Sequence, residues 1–225
     1  FLNDLAPGAG WGVLDDRGEP KSTWYALRRA FQPLYLGITD EGLNGLALHV
    51  RNETTTERRM KLTLACFGEA AHPLAKVETP LTLAPRQTRR IDSAALLGRF
   101  FDFTYAYRFG PLAHDATVVR LLDADSGERL AEAVHVLAGR AATPAAIGLA
   151  AEVAGDADGY ALRISAERFA RFVTIDDDHF IADDEGFCLM PGETRLVRLV
   201  PRGGNAHPAG SVAALNSHPV SYRAP

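Results

Sequence analysis

Residues Leu46 to Cys66 read LALHVRNETTTERRMKLTLAC. Leu46, Leu48 and Val50 alternate with Ala47, His49 and Arg51, and then Met60, Leu62, Leu64 and Cys66 alternate with Lys61, Thr63 and Ala65. A period of two places successive side chains on opposite faces of a pleated strand, so each run predicts a strand with one buried face. The polar NETTTER between them predicts a loop joining antiparallel neighbours. By this parity Leu62 points inward, and His49 points to solvent.

The same rhythm continues downstream. Val77 to Leu83, Thr88 to Asp92, Phe101 to Phe109, Thr117 to Asp123 and Arg129 to Leu137 predict further strands, at the spacing of about 8 to 12 residues that marks a sandwich. LLDADSGER, from Leu121 to Arg129, places Asp-Ser-Gly between apolar runs and predicts a hairpin turn. Phe101, Phe103, Tyr105, Tyr107 and Phe109 alternate with Asp102, Thr104 and Arg108, which predicts a core-facing stripe. Exposing all five rings would leave an apolar patch of roughly several hundred Å². His135 falls at the outward parity of its strand and is expected at the surface.

GRAATPAA, at 139–146, holds a Pro and no large apolar residue, and marks a domain boundary. Beyond it, strands are expected at Ile147 to Val153, Tyr160 to Ser165, Arg171 to Asp176, Gly186 to Met190, Thr194 to Pro201 and Gly210 to Asn216, with a turn at Gly155 to Gly159. A sandwich of so few residues buries a smaller fraction of its chain than a larger one and is expected to lean on a neighbour. The Pro- and Ser-bearing tail from His207 to Pro225 is expected to be partly unfixed at its end.

Composition sets outer limits. With 225 residues, 47% hydrophobic, the chain has length for one or two folded domains. No apolar run approaches the ~18 residues of a membrane span. The net charge of −4 and the dispersed arginines argue against a nucleic-acid surface. Cys66 and Cys188 fall in different predicted domains, so no disulfide is expected between them. The histidines show no His-x3-His spacing and the cysteines no Cys-x2-Cys pair, which speaks against zinc. No phosphate loop or nucleophile elbow occurs, and no cofactor is expected. The acidic residues Asp176, Asp177, Asp178, Asp183, Asp184 and Glu185 lack the Gly and terminal Glu of an EF-hand loop, and predict a solvated turn with Phe180 directed inward.

Upstream of the strands, FLNDLAPGAGWGVLDDRGEPKSTWYALRRAFQP (1–33) has a different character. Phe1-Leu2 runs into Asn3-Asp4 and a Pro/Gly loop, as the end of a buried strand would, and a helix follows from Thr23 to Phe31 with Ser22 or Thr23 as cap and Pro33 as stop. Trp24, Leu27, Ala30 and Phe31 share a face, and so short a helix does not persist alone in water. Trp24, Leu27 and Phe31 are therefore expected to pack on the first sandwich or on another copy of the chain.

Leu2-Asn3-Asp4, Pro7-Gly8, Trp11-Gly12, Asp15, Gly18, Pro20-Lys21 and the run from Tyr25 to Pro33 together resemble the last strand and helix of the (β/α)8 barrel in glycoside hydrolase family 2, in its β-mannosidase branch. DDDHFIADDEGFCLMPGE, from Asp176 to Glu193, resembles that family's last immunoglobulin-like domain. The resemblance implies an all-β chain: a loop–helix remnant of the barrel at 1–33, an immunoglobulin-like antiparallel β-sandwich at 34–138, a linker at 139–146 and a smaller immunoglobulin-like sandwich at 147–225. It further implies the C-terminal accessory region of a β-mannosidase-like retaining exoglycosidase, with the catalytic barrel as its partner, an oligosaccharide as the parent's substrate, and a periplasmic or extracellular setting.

Retaining glycosidases need two carboxyls about 5 to 5.5 Å apart. In the family both are glutamates on earlier barrel strands, so no catalytic residue is assigned to this chain. Asn3, Asp4 and Trp11 are the candidate substrate contacts in the parent, because ends of barrel strands and the loops after them face the site. The alternative is that Asn3 and Asp4 cap the loop and Trp11 packs on the barrel rim. Ala6 stands where many β-mannosidases carry a Trp, which leaves β-mannosides and β-glucosaminides both open as substrates. An independent carbohydrate-binding module is the other alternative, and it requires an exposed aromatic platform.

Overall fold

The computed structural model describes residues 1–8, 10–107, 109–138, 142–156, 159–203 and 206–224. In chain order the elements are α1 (Ser22–Ala30), β1 (Leu34–Asp40), β2 (Leu46–Asn52), β3 (Arg58–Phe67), β4 (Ala75–Leu83), β5 (Thr88–Asp92), α2 (Ser93–Leu97), β6 (Ala116–Asp123) and β7 (Arg129–Val136). They continue with β8 (Ala150–Asp156), β9 (Gly159–Ser165), β10 (Ala170–Asp177), β11 (Phe180–Ala182), β12 (Phe187–Leu189), β13 (Thr194–Pro201), β14 (Ala209–Ala213) and β15 (Val220–Arg223). Two compact units result: Arg29–Arg140, and Phe1–Arg28 together with Ala141–Pro225. The all-β, sandwich-type fold read from the period-two runs is the one observed.

In the Arg29–Arg140 unit, one antiparallel sheet has the order β1-β2-β5 and the other β4-β3-β6-β7. Inward residues of both sheets make one core: Leu36, Leu48 and Val50 from the first meet Leu62, Leu64, Leu81 and Leu121 from the second. Asn52 closes β2 with no exposed surface. Its side-chain amide donates to the carbonyls of Thr56, Leu83 and Ala84, and its Oδ1 accepts from the Thr54 N–H and O–H. This explains the NETTTER loop, since a buried amide left without partners costs roughly 1–3 kcal/mol. In the hairpin after β6, the Asp123 carboxylate accepts from the Asp125 and Ser126 backbone N–H groups, and Gly127 takes φ +73°.

Cys66 lies in the same core, and burial pushes its thiol up to about 11. At pH 8 roughly one molecule in a thousand would carry the reactive thiolate. Neither cysteine forms a disulfide. Iodoacetamide is therefore expected to modify Cys188 before Cys66 in the folded chain. Labelling of Cys66 at the rate of the unfolded protein, read by mass spectrometry of tryptic peptides, would refute this burial.

Two expectations for this unit are corrected. Phe101 to Tyr107, the described part of this run before Phe109, is a loop and not a strand. The buried Asp102 carboxylate accepts from the Ala106 and Tyr107 backbone N–H groups, and Tyr105 sits at φ +59°, so the backbone takes a local turn in place of a ladder. Phe103 is buried and Phe101 packs on the core, while Tyr107 and Phe109 are exposed; Arg108 lies outside the described residues. The second correction is His135. It is in register with the buried Thr117, so it faces the sandwich edge, where its ring pairs with Asp40 at 3.3 Å and its side chain is only 17% exposed. His49 is half-buried, lies in register with Gly37 and Arg90, and bonds Thr39 at 3.0 Å.

The sandwich in the other unit pairs β12-β10-β14-β15 with β11-β13-β9-β8 around Leu162, Ile164, Val173, Phe180, Phe187, Val197, Val212 and Tyr222. The strand expected from Ile147 begins at Ala150 instead, because Gly148 adopts φ +65° and interrupts the extended run. Ile147 is buried all the same, and its carbonyl accepts from the Glu167 and Arg168 N–H groups. The turn expected at Gly155 to Gly159 falls partly outside the described residues, between the paired Asp156 and Gly159. Of the predicted linker, 139–141 also lie outside them, whereas Ala145 bridges to Ser217.

The C-terminal tail, expected to be partly unfixed, supplies β15 and the buried Tyr222. The acidic run is not simply solvated. Phe180 is buried as expected, but it opens β11, and Asp177 is buried beneath it. One Asp177 oxygen accepts from the His179 and Phe180 N–H groups, the other from the Ala209 N–H and the Tyr222 hydroxyl. Among the described residues no cluster of three or more His, Cys, Asp or Glu could hold a metal ion.

Candidate functional site: the N-terminal hook

Residues 1–28 form a hook in the unit that contains the second sandwich. Asn3 bridges to Leu14 and Leu14 to Pro20, and backbone bonds from Val13 and Leu14 to the Leu2 carbonyl close the hook across its mouth. Asp15 shapes its far bend by accepting from the Arg17 and Glu19 N–H groups, with Gly18 at φ +83°.

The three sequence candidates separate in space. Asn3 is exposed, and its amide donates to the Asp4 carbonyl at 3.0 Å. The Asp4 carboxylate is nearly covered, with 8% of its side chain exposed. One oxygen accepts from the Gly12 N–H at 2.7 Å and the other from Lys21 Nζ at 2.7 Å, and Lys21 also donates to the Gly10 carbonyl at 2.9 Å. These bonds, the Lys21 ammonium first, hold the Asp4 carboxyl below the usual carboxylate range. A Cβ at Gly10 or Gly12 would overlap Asp4, so the carboxylate needs both glycines. Trp11 stands between them with 90% of its surface exposed, and Phe1, Leu2 and Leu5 are also exposed.

Helix α1 anchors the hook, though not by the face expected. Trp24 is half-buried, Leu27 is at the edge of exposure and Phe31 is 78% exposed. Tyr25 is the buried residue of the helix, and its hydroxyl donates to the Ala182 carbonyl at 2.7 Å. The phenol suits this place because its ring fills apolar space while its tip satisfies a backbone carbonyl. Burial, with the Glu185 charge nearby, pushes it up to about 12. Arg28 donates to the Asp183 carbonyl and pairs with Asp184, which also holds Arg195. Glu19 pairs with Arg202 at 3.1 Å. The helix thus packs within the unit of the second sandwich, one residue round from the predicted stripe. Sequence reasoning named none of Lys21, Arg28, Asp184 and Arg195 for these roles; only the Pro20-Lys21 match hinted at the first.

Residues 143–216 match the family model of the mannosidase-type Ig-fold domain. The matched residues lie in the second sandwich, which is therefore an Ig-fold domain of the mannosidase type. Comparison with curated proteins gives no match. Among solved structures, a β-D-mannosidase from Dictyoglomus thermophilum aligns over 90% of this chain and 24% of its own, with TM-score 0.68 and 15% identity. An exo-chitosanase from Amycolatopsis orientalis aligns over 99% of this chain and 30% of its own, with TM-score 0.67 and 15% identity. A complex of that exo-chitosanase with PNP-β-D-glucosamine aligns at TM-score 0.67 and 14% identity over the same shares. The chain thus spans 24% to 30% of the length of these structures, and identities this low speak for the fold alone.

Proposed function

We propose that this chain is the non-catalytic accessory region of a β-mannosidase-like exoglycosidase, in which the two sandwiches buttress a catalytic barrel that cleaves terminal β-D-mannosyl residues. The observation that carries this reading is the hook. A segment with the pattern of a barrel's last strand and helix is fixed by Tyr25 and Arg28 to an Ig-fold domain of the mannosidase type, while Phe1, Leu2, Leu5 and Trp11 stay uncovered. Exposed apolar side chains in such a group call for a cover, and the catalytic barrel is the cover proposed. On this reading Asn3 and Trp11 reach toward sugar, with Asp4 directly behind them.

The chain alone is expected to release no nitrophenol from an aryl β-mannoside, because the paired carboxyls that glycoside cleavage requires lie elsewhere in the family. Turnover by the purified chain would refute the accessory role. Placing the same region in its full-length enzyme and comparing aryl β-mannoside with aryl β-glucosaminide tests the substrate, and preference for the glucosaminide would move the parent to the exo-chitosanase side.

A second reading rests on the loop that replaces the expected aromatic strand. Phe100, Tyr107 and Phe109 are exposed, and Phe100 meets Tyr107 edge-on at 5.4 Å. Such rings are the platform that a carbohydrate-binding module requires. Calorimetry with mannobiose decides: a dissociation constant near the micromolar range, about −8 kcal/mol, would favour the binding module over the buttress.

A further inference from the structure

We propose that Asp4 and Lys21 are positioning residues that clamp the peptide on both sides of Trp11, so that the C-terminal sandwich sets where this indole stands. The proposal rests on the reading of the hook as the sugar-facing rim of a glycosidase and assigns its parts. Asp4 accepts from the N–H of Gly12, the residue after Trp11, and Lys21 donates to the carbonyl of Gly10, the residue before it. The ion pair between Asp4 and Lys21 ties the two clamps together. Trp11 itself makes none of these bonds; its ring is the part left to solvent.

The clamp has a foundation. Lys21 immediately precedes α1, and its N–H donates to the Val13 carbonyl. Tyr25 and Arg28 fix the helix to Ala182 and Asp183, and Asp184 binds Arg28 and Arg195 together. Glu19, on the other side of Lys21, is held by Arg202. Lys21 is thus anchored before and behind, and it passes that fixed position to the Trp11 loop. The chemistry also separates the candidates. With both Asp4 oxygens engaged inside the hook and two glycines required around them, Asp4 acts on substrate only through the loop it holds. Its depressed titration agrees with a carboxylate that stays ionised in that role.

The test uses the complete chain with Trp24→Phe, so that Trp11 alone reports. Time-resolved anisotropy of Trp11 is measured with and without Lys21→Met, alongside hydrogen exchange at the Gly12 amide. The slow component of the anisotropy is expected to fall by about half, and Gly12 exchange to rise on the order of tenfold, while β9 and β13 amides keep their protection. Lys21→Arg, which preserves the charge, is expected to restore most of the order. Unchanged Trp11 order in Lys21→Met would overturn the proposal. So would a parallel loss of protection in β9 and β13, which would make the pair a general fold element. If Trp24→Phe does not fold, 5-fluorotryptophan resonances in the otherwise unaltered chain give the same readout. Hydrolysis by the full-length enzyme does not enter this experiment, so a failure of the clamp and a failure of the glycosidase reading are told apart.

Discussion

Leu62→Asp unfolds the Arg29–Arg140 unit. Leu62 has no exposed surface, lies on β3 in register with Thr79 on one side and Leu121 on the other, and belongs to the core shared by both sheets. Removing a buried leucine side chain costs about 2–5 kcal/mol by itself. A carboxylate in its place adds several kcal/mol of desolvation with no partner to offset it, roughly enough to exhaust the 5–15 kcal/mol that holds a typical domain folded. The expected result is loss of the strand signal of this unit in circular dichroism and loss of exchange protection in β3 and β6. Retained protection there would mean that position 62 does not face the core.

Asp177→Ala is expected to destabilise the second sandwich nearly as much, for the opposite reason. Four donors converge on this buried carboxylate: the N–H groups of His179, Phe180 and Ala209, and the Tyr222 hydroxyl. The bonds tie the turn between β10 and β11 to the start of β14 and to β15. Burial and the neighbouring Asp177 push the Tyr222 phenol well above its ordinary value, so the tyrosine stays protonated and remains a donor. Truncating the acceptor leaves the donors buried and unanswered, at a cost of about 3–5 kcal/mol, or on the order of 15 °C in melting temperature for a unit of this size. Tyr222→Phe removes a single bond and is expected to cost about 1–1.5 kcal/mol. An Asp177→Ala chain that melts within about 3 °C of the parent would show that water replaces the carboxylate and that the network is not structural.

The strands were legible wherever side-chain alternation is a local property. Leu48, Val50, Leu62 and Leu64 announce their inward face to any partner sheet, and all four are fully buried. The Phe101 to Phe109 stripe has the same alternation, and its described residues from Phe101 to Tyr107 form no strand, because Asp102 offers the backbone N–H groups a nearer acceptor than a neighbouring strand does. β15 escaped notice for a related reason: four residues, Val220 to Arg223, carry too little pattern, and they pair only because β14 is already in place. His135 was misplaced because its alternation does not tell which side of an edge strand the second sheet closes on.

The hook divides along the same line. By itself the sequence determined that Asn3 and Asp4 run into a Pro/Gly loop carrying Trp11, that a short helix follows, and that sandwich-type strands come after it, since each of these is written in adjacent residues or in periods of two and 3.6. Only the tertiary structure decided that Asp4 turns inward to Lys21, that Tyr25 and not Trp24 is the buried residue of α1, and that Ala182, Asp183 and Asp184 receive the helix. Those partners lie 17 or more positions apart, up to 157 for Tyr25 and Ala182. Hydrogen bonds and ion pairs of that reach exist only after the intervening chain has folded and brought donor and acceptor together, and no local pattern in the chain encodes them.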